Sequence, residues 1–327
     1  MAAPIKVQPF VPPVTIFRRS CLPFLALVLL LLSARGAAAA RAFAIVDSET
    51  GFVLAEQDGK AKRQVGSLTK IATAMVVLDW AEHKGGNLNQ MATIPPAAFV
   101  GTGENNVGFQ PGDTIVLRDL LYAALVQSDN IAAYALASHV GQALQSGGVP
   151  PVANVSSVAL FVGQMNALAK QLNMQRTRFL NPHGIDATEQ PFSSALDLAR
   201  LTRYAMNKAA FRFYVSQKER QITFAGGGKK RAYLLRNTNE LLGTNGIDGV
   251  KTGTTARGGE CLVLSSQREA EVRKEGATTY VTPRRLIVVV LGSVDRFGEG
   301  AQLLARGWQL YDQWAAGGRV VDPNRKL

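Results

Sequence analysis

The chain has 327 residues, 47% of them hydrophobic, and a formal net charge of +12 at pH 7. This length and apolar content can build a sizeable core in one large domain or two modest ones, which excludes a largely disordered protein. Basic proteins associate with membrane surfaces or anionic polymers, and nucleic acid is one such polymer. The sequence has no zinc-finger, basic-zipper or RNP signature, so we expect no nucleic-acid partner.

The first forty residues are typical of an export signal. Arg18 and Arg19 precede an apolar run from Cys21 to Leu32, and small residues follow from Ala37 to Ala40. A basic start, a short apolar core and a small-residue cleavage site define signal peptides. We therefore predict a signal peptide over residues 1–40 and export to the periplasm or cell-wall space. The run is short for a membrane span, and only an uncleaved segment would bring the protein into contact with the membrane.

The exported part opens with a predicted β-hairpin and a predicted helix. Two apolar runs, residues 42–47 and 52–55, flank a polar turn that contains Gly51, which is a hairpin pattern. The next stretch, Ser67–Trp80, has apolar residues at helical spacing: Ile71, Met75 and Leu78. Ser67 suits the start of this helix, because a serine hydroxyl can cap backbone N–H groups.

Lys70 lies one helical turn after Ser67 and is expected to share a helix face with it. A hydroxyl nucleophile and an amine could therefore meet at a helix N-terminus, where backbone N–H groups favour developing negative charge. A Ser-x-x-Lys sequence is expected about once by chance in a chain of this length. Taken alone, the stretch is better explained by an ordinary helix start, so its meaning depends on residues further along the chain.

The middle of the chain is predicted to be helical, and its last third to be mostly strands. The predicted helices are residues 113–126, 131–139, 158–172, 194–206 and 299–314. The predicted strands are residues 221–224, 231–235, 261–265 and 285–291. Ser128 and Asn130 fall in the turn between the first two helices, Gly147–Pro151 is predicted to be a loop, and Gln267–Arg285 a long hairpin or loop. Cys261 heads an apolar strand, so we expect a buried core residue.

This order of elements predicts the fold class. Strands occur at both ends of the exported part, and helices occur mainly between them. We therefore predict an α+β fold, in which an antiparallel sheet built from both chain ends is flanked by helices. A helical subdomain is predicted to be inserted at about residues 80–215.

Three short motifs stand in suitable contexts along this predicted fold. They are Ser67–Lys70 at a helix start, Ser128–Asn130 in a turn between helices, and Lys251–Gly253 at a strand start. Lys-Thr-Gly is the rarest of the three by chance. Together, in this order, they form the signature of penicillin-binding proteins and serine β-lactamases.

The chain also resembles the D-alanyl-D-alanine carboxypeptidases of the low-molecular-mass penicillin-binding protein family, from about Ala42 to Trp308. The stretches that carry the resemblance are Gly66–Lys70, Asn181–Ile185, Ser193–Ala199, Arg236–Leu242, Asp248–Gly253 and Arg296–Leu304. The resemblance implies the fold that serine β-lactamases share with penicillin-binding transpeptidases. Many relatives have a further β-rich domain, and their counterpart of the 267–285 stretch is usually shorter. For this chain we expect a catalytic domain at 41–318, a tail at 319–327 and no second β-rich domain.

The resemblance also implies roles for individual residues. Ser67 would attack the carbonyl between two D-alanines of a peptidoglycan stem peptide and form an acyl-enzyme. Lys70 would be its base, which requires a pKa lowered by burial or by a nearby like charge, and Lys251 is a plausible source of that charge. Ser128 would relay a proton to the leaving amine, and Asn130 would hold the substrate amide.

Further roles concern charge on the substrate. The resemblance places the oxyanion hole at the backbone N–H groups of Ser67 and Thr254. Lys251 and Thr252 would orient the terminal carboxylate of the substrate, and Gly253, the last residue of the same motif, is also expected to bind substrate. Arg296 is a candidate for the same task, although an arginine at a helix start also fits an ordinary surface ion pair.

No cofactor or metal is expected, because a zinc peptidase needs a histidine-rich ligand set and the chain has three histidines. β-Lactam antibiotics are the expected covalent inhibitors. Three alternatives stay open: a D,D-endopeptidase that cuts cross-links, a serine β-lactamase, and a silent penicillin-sensing or wall-binding module. A class A lactamase needs a loop glutamate, and Glu189 lacks the expected sequence around it. Intact Ser67, Lys70 and Lys251 argue against a silent module.

Overall fold

The computed structural model describes residues 40–146, 155–186 and 189–327. The predicted signal segment, apart from Ala40, lies outside the described residues, as does the loop predicted at Gly147–Pro151. Among the helices of the described ranges, none combines the length and apolar character that a membrane span needs.

Strands and helices are largely segregated along the described chain, as an α+β fold requires. The strands are β1 (Ala42–Asp47), β2 (Val53–Gln57), β3 (Met91–Thr93), β4 (Thr114–Val116), β5 (Glu219–Gly226), β6 (Lys229–Arg236), β7 (Ile247–Thr255), β8 (Gly259–Glu275) and β9 (Thr278–Ser293). The α-helices are α1 (Lys70–His83), α2 (Leu117–Leu125), α3 (Asn130–Ser146), α4 (Ser157–Gln171), α5 (Ala195–Met206), α6 (Ala209–Val215) and α7 (Arg296–Ala316). Single 3-10 turns occur at Gly66–Thr69, Pro96–Phe99 and Pro323–Arg325.

The main sheet has five strands in the order β2-β1-β9-β8-β7, and all its pairs are antiparallel. Strands from the two ends of the exported part therefore meet in one sheet, and the predicted α+β class is confirmed. Strand β7, which carries Lys251–Gly253, lies at one edge of this sheet, so its outer side can face a ligand.

A second sheet of four strands, in the order β3-β4-β5-β6, joins two strands within the predicted insertion at about 80–215 to two strands that follow it. The two strands predicted at 221–224 and 231–235 belong to this smaller sheet and not to the main one. The other two strands of this sheet, β3 and β4, have three residues each. Such short strands leave no periodic pattern, so the sequence analysis did not detect them.

The main sheet is covered on both faces, and the sequence of β9 explains why. Leu286, Val288 and Val290 join one apolar cluster, which includes residues of α7. Ile287 and Val289, between them, join the other cluster, which includes residues of α1 and α5. Successive side chains of a strand point to opposite faces, so a continuous apolar run indicates a strand buried on both sides.

Two peripheral segments complete the fold. Beyond the main sheet, β8 and β9 continue as a long antiparallel hairpin, with Glu275 opposite Thr278 near its tip. This confirms the hairpin predicted at Gln267–Arg285. The C-terminal residues contact β2, the edge strand on the side of the main sheet away from β7. There, Arg325 Nη2 donates hydrogen bonds to the carbonyl oxygens of Val53 and Leu54.

Candidate active site

Ser67 lies in a 3-10 turn, Gly66–Thr69, that leads directly into α1. The prediction that Ser67 caps the helix was wrong, because the cap position of the turn is Val65 and that of α1 is Thr69, and neither position has a side-chain cap. The hydroxyl instead faces Lys70, whose Nζ lies 2.8 Å from Ser67 Oγ. The 3-10 turn therefore keeps the predicted juxtaposition of hydroxyl and amine.

Two glycines allow this turn to pack against strand β7. Gly66 has a φ of +53°, and a Cβ there would lie 2.8 Å from the carbonyl oxygen of Thr254. A Cβ at Gly253 would lie 2.5 Å from the carbonyl oxygen of Val65. Carbon and oxygen atoms do not approach so closely without a shift of the backbone. The glycine of the Lys-Thr-Gly motif thus sets the distance between Ser67 and β7.

Lys70 is fully buried at the start of α1, a helix that is apolar on nearly all sides. Burial lowers the pKa of its amine to about 7, and the negative charge of Asp129 opposes this shift. The sequence offers two causes for such a shift, burial or a nearby like charge from Lys251. Burial is the main cause, because an ammonium ion is poorly stabilised in the interior.

The partners of Lys70 fix the direction of its amine. Nζ lies 2.6 Å from Asn130 Oδ1 and 3.0 Å from the carbonyl oxygen of His183. Asn130 Nδ2 donates to the carbonyl oxygen of Thr102 at 2.8 Å, which sets the orientation of the amide. Both oxygens near Nζ can only accept hydrogen bonds. A neutral amine has two hydrogens, so with these two bonds made its lone pair points to Ser67.

Lys251 is a second buried lysine. Burial lowers the pKa of Lys251 well below its usual value, and the charges of Lys70 and Arg296 act in the same direction. Its Nζ donates to the carbonyl oxygen of Thr252 at 3.2 Å. The Thr252 hydroxyl is hydrogen-bonded to the Thr238 hydroxyl at 2.7 Å.

Ser67 and most of the other predicted residues open onto one cavity of about 470 Å³. Its lining residues come from the Ser67 turn, the α2–α3 turn, the segment after β6, strand β7 and the start of α7: Ser67, Ser128, Thr238, Glu240, Thr252, Gly253, Thr254, Arg296 and Phe297. Ser128 has a φ of +64°, an uncommon backbone conformation for a non-glycine residue. The three motifs, remote in sequence, thus meet at one place.

Arg296, the first residue of α7, both lines the cavity and forms an ion pair. Its Nη2 lies 2.8 Å from Glu260 Oε1, and its Nη1 donates to the carbonyl oxygen of Gly253 at 3.0 Å. Asp295 caps α7 by accepting from the backbone N–H of Gly298. The ion pair that the sequence offered as one interpretation of Arg296 is present, and binding of a substrate carboxylate stays a prediction for the same residue.

The sequence analysis missed three contributors to this site. Asp129 accepts from the backbone N–H of Ala132 at 2.7 Å, and burial raises its pKa to about 6. His183 offers its backbone carbonyl to Lys70, while burial lowers the pKa of its imidazole to about 3. Glu260 binds Arg296. Asp129 could have been found, because it lies inside the Ser128–Asn130 motif. The backbone carbonyl of His183 and the pairing of Glu260 with Arg296, which are 36 residues apart, leave no pattern in the sequence.

Within the described part of the chain, one group of side chains is close enough to share a metal ion: Asp79, Glu82 and His83. The Lys208 ammonium lies 2.9 Å from Asp79 and also contacts Glu82. A lysine cation therefore already balances these carboxylates. Cys261 is buried, and its thiol pKa is raised to about 11 by burial, which suits the core residue that the sequence predicted.

Comparisons with known proteins agree with this geometry. The profile of the family described as D-alanyl-D-alanine carboxypeptidase matches residues 32–292. The D-alanyl-D-alanine carboxypeptidase DacC of Escherichia coli is 33% identical over 283 residues, which are 84% of this chain and 62% of DacC. The chain thus spans less than two thirds of that relative. A D-alanyl-D-alanine endopeptidase of Pseudomonas aeruginosa is 31% identical over 81% of this chain and 75% of its own length.

Among solved structures, the Streptomyces K15 DD-transpeptidase superposes with a TM-score of 0.69 at 28% identity, over 83% of this chain and 97% of that one. This likeness confirms the predicted penicillin-binding type of fold. The family profile covers more than half of the chain, and the three motifs lie within the matched residues. The chain therefore belongs to the D-alanyl-D-alanine carboxypeptidase family.

Proposed function

We propose that this protein is a serine D,D-carboxypeptidase, which removes the terminal D-alanine from peptidoglycan stem peptides. One observation carries the proposal: the buried Lys70 amine, with a pKa of about 7, lies 2.8 Å from the Ser67 hydroxyl. About half of the molecules carry an amine of this pKa in its neutral, proton-accepting form at neutral pH. Family membership favours the peptide substrate.

In the acylation step, Ser67 Oγ attacks the carbonyl carbon of the penultimate D-alanine while Lys70 Nζ takes the hydroxyl proton. The carbonyl oxygen gains a negative charge, which the backbone N–H groups of Ser67 and Thr254 stabilise. This assignment is supported by the lining of the cavity, to which both Ser67 and Thr254 contribute. The C–N bond then breaks, with a proton relayed from Lys70 through Ser128 to the leaving amine.

In the second step, a water molecule attacks the ester on Ser67 and Lys70 takes its proton. The C–O bond to Ser67 breaks, and the proton returns to the serine oxygen. The shortened peptide leaves with a new carboxylate. The same lysine therefore serves both half-reactions.

Substrate recognition is assigned to the residues around the cavity. Thr252 supplies a hydroxyl donor and Arg296 a positive charge for the terminal carboxylate. The buried Lys251 amine is assigned to the same group as a further donor, and Gly253 lines the cavity beside Thr252. Asn130 Nδ2 has two hydrogens, of which Thr102 takes one, and the other is assigned to the substrate amide. β-Lactams would acylate Ser67 by the same attack.

We infer that residues 41–318 form the catalytic domain, with 319–327 as a tail. The basic, apolar and small-residue pattern of residues 1–40 favours export to the periplasm or cell-wall space. An exported enzyme meets peptidoglycan, which is consistent with a net charge of +8 after removal of residues 1–40, since these hold four of the basic residues behind the total of +12 and no acid (12 − 4 = 8).

A D,D-endopeptidase is the second candidate, and one observation favours it: a relative with that name is 31% identical to this chain. The two activities differ in the leaving group, a D-alanine or a cross-linked residue. The lactamase alternative has weaker support, because Glu189 is exposed and pairs with Arg178 at 3.0 Å.

The proposal is tested on the exported chain and its Ser67→Ala variant. Each is incubated with a fluorescent penicillin, with a peptide that ends in D-Ala-D-Ala, and with a cross-linked dimer. We expect labelling and D-alanine release that both disappear in Ser67→Ala. Cleavage of the cross-linked peptide dimer alone would favour the endopeptidase. Rapid turnover of penicillin without release of D-alanine would favour the lactamase. Absence of both labelling and release would refute the proposal.

A further inference from the structure

Both carboxylate oxygens of Glu260 accept hydrogen bonds from one residue, Arg296. Glu260 lies at the start of β8, and Arg296 is the first residue of α7. Arg296 Nη2 donates to Glu260 Oε1 at 2.8 Å, and the backbone N–H of Arg296 donates to Oε2 at 3.1 Å. The carboxylate therefore holds the backbone and the guanidinium of the same arginine.

A second contact fixes the guanidinium from another side. Arg296 Nη1 donates to the carbonyl oxygen of Gly253 at 3.0 Å, within the Lys-Thr-Gly motif. A guanidinium has five N–H donors in a rigid fork, and these side-chain contacts use two of them. The fork can therefore be held in one orientation and still offer hydrogen bonds to a ligand in the cavity, which Arg296 lines.

This pair differs from the exposed ion pairs of the molecule. The side chains of Arg296 and Glu260 are 15% and 36% exposed, compared with 73% and 54% for Arg236 and Glu219. The hydrogen bond from Arg296 lowers the pKa of Glu260, so the carboxylate is charged at neutral pH. Exposed pairs contribute little because water screens them, whereas a partly buried pair with two hydrogen bonds can hold a geometry.

We infer that Glu260 is a positioning residue for substrate binding, which acts through Arg296 by fixing the guanidinium that receives the terminal carboxylate of the peptide. This inference rests on the proposed function, since it needs a carboxylate-terminated ligand in the cavity. It assigns Glu260 an effect on recognition of the substrate and none on the chemistry at Ser67.

The test compares two peptides that end in D-Ala-D-Ala, one with a free carboxylate and one with a carboxamide. Each competes with fluorescent penicillin for labelling of the exported chain, and hydrolysis of the free acid is followed separately. The variants are Glu260→Gln, Arg296→Ala and the double variant. Glu219→Gln is the matched control, because it breaks an exposed pair of the same chemistry.

In Glu260→Gln we expect the KM for the peptide with a free carboxylate to rise about fivefold to tenfold, because a charge-assisted contact to Arg296 is lost. The kcat should not change. Competition by the carboxamide should not change. The effect of Glu260→Gln should disappear in the Arg296→Ala background, because Glu260 acts through that residue. A melting temperature close to that of the starting protein checks that the variant folds.

Two results would overturn the inference: an unchanged preference for acid over carboxamide in Glu260→Gln, or losses that multiply in the double variant. These results are distinct from failure of the proposed function. If the unsubstituted chain neither reacts with penicillin nor releases D-alanine, the proposed function itself is wrong. If it does both and Glu260→Gln behaves like Glu219→Gln, the assignment of Glu260 alone is wrong.

Discussion

The floor of the site, formed by Ser67, Lys70 and Asn130, contrasts with its rim, formed by Thr238, Thr252 and Arg296. On the floor, Lys70 is buried and its pKa is lowered to about 7. At the rim, Arg296 keeps partial access to water and is balanced by an acid. Under the proposed function, the same type of charge would serve different purposes: the interior would convert a cation into a base, while the rim would keep a cation for recognition.

The largest expected effect tests the floor. Lys70→Ala removes the only amine in contact with the Ser67 hydroxyl in the described structure, so penicillin acylation should slow by about 10²- to 10⁴-fold. Stopped-flow fluorescence with a labelled penicillin measures this rate. Lys62→Ala, at an exposed lysine over the Phe192 ring, is the control and should react normally. Near-normal acylation in Lys70→Ala would show that another group is the base.

The second effect tests how the floor is placed against β7. Gly253→Ala would put a Cβ 2.5 Å from the Val65 carbonyl oxygen, which should cost about 1–3 kcal/mol of unfolding free energy. Because the Ser67 turn must move, acylation should also slow by up to about 10²-fold. Urea unfolding and the penicillin assay measure the two consequences. Gly163→Ala, in helix α4, is the control for steric contact, because a Cβ there meets no atom within 4 Å and its φ is not positive. A normal acylation rate in Gly253→Ala would contradict the packing account.

The third effect concerns pH. Acylation should rise as the pH increases through about 7, because Lys70 must lose its proton to act as a base. The anionic Asp129 stabilises the ammonium form and so raises the pKa of Lys70. Asp129→Asn should therefore move the midpoint to lower pH, by about one unit, as measured by acylation rates from pH 5 to 9.

Asp119→Asn is the control for this shift. Asp119 is also a buried carboxylate whose pKa is raised by burial, but Lys70 is not among the charges that act on it. Its removal should leave the midpoint unchanged. A midpoint that stays in place, or rises, in Asp129→Asn would contradict the electrostatic coupling.

The smallest effect is expected at the rim. Thr238→Val keeps the shape of the side chain and removes its hydrogen bond to the Thr252 hydroxyl. Loss of such a bond costs about 0.5–1.5 kcal/mol, so the KM for a D-Ala-D-Ala peptide should rise a few fold while kcat changes little. Steady-state kinetics separate the two constants. A large fall in kcat would mean that Thr238 belongs to the catalytic floor.

The same contrast explains what could be predicted from the sequence. The helix spacing of Ser67 and Lys70 and the apolar residues of β9 follow from local periodicity, so the floor and the α+β class were predictable. The pairing of Glu260 with Arg296, and the approach of the His183 carbonyl to Lys70, depend on tertiary packing. Burial and a nearby like charge both stay possible causes of the Lys70 shift until the fold is known, because the depth of burial of one side chain is a property of the whole fold.

The central claim is that Lys70 is a neutral base near physiological pH. It is tested most directly by NMR titration of the chain with ¹³C-labelled lysine. The Lys70 and Lys251 signals are assigned by their loss in Lys70→Arg and Lys251→Arg. The account predicts a Lys70 signal that titrates near pH 7. A Lys70 signal that titrates near the usual lysine pKa of about 10.4 would contradict it.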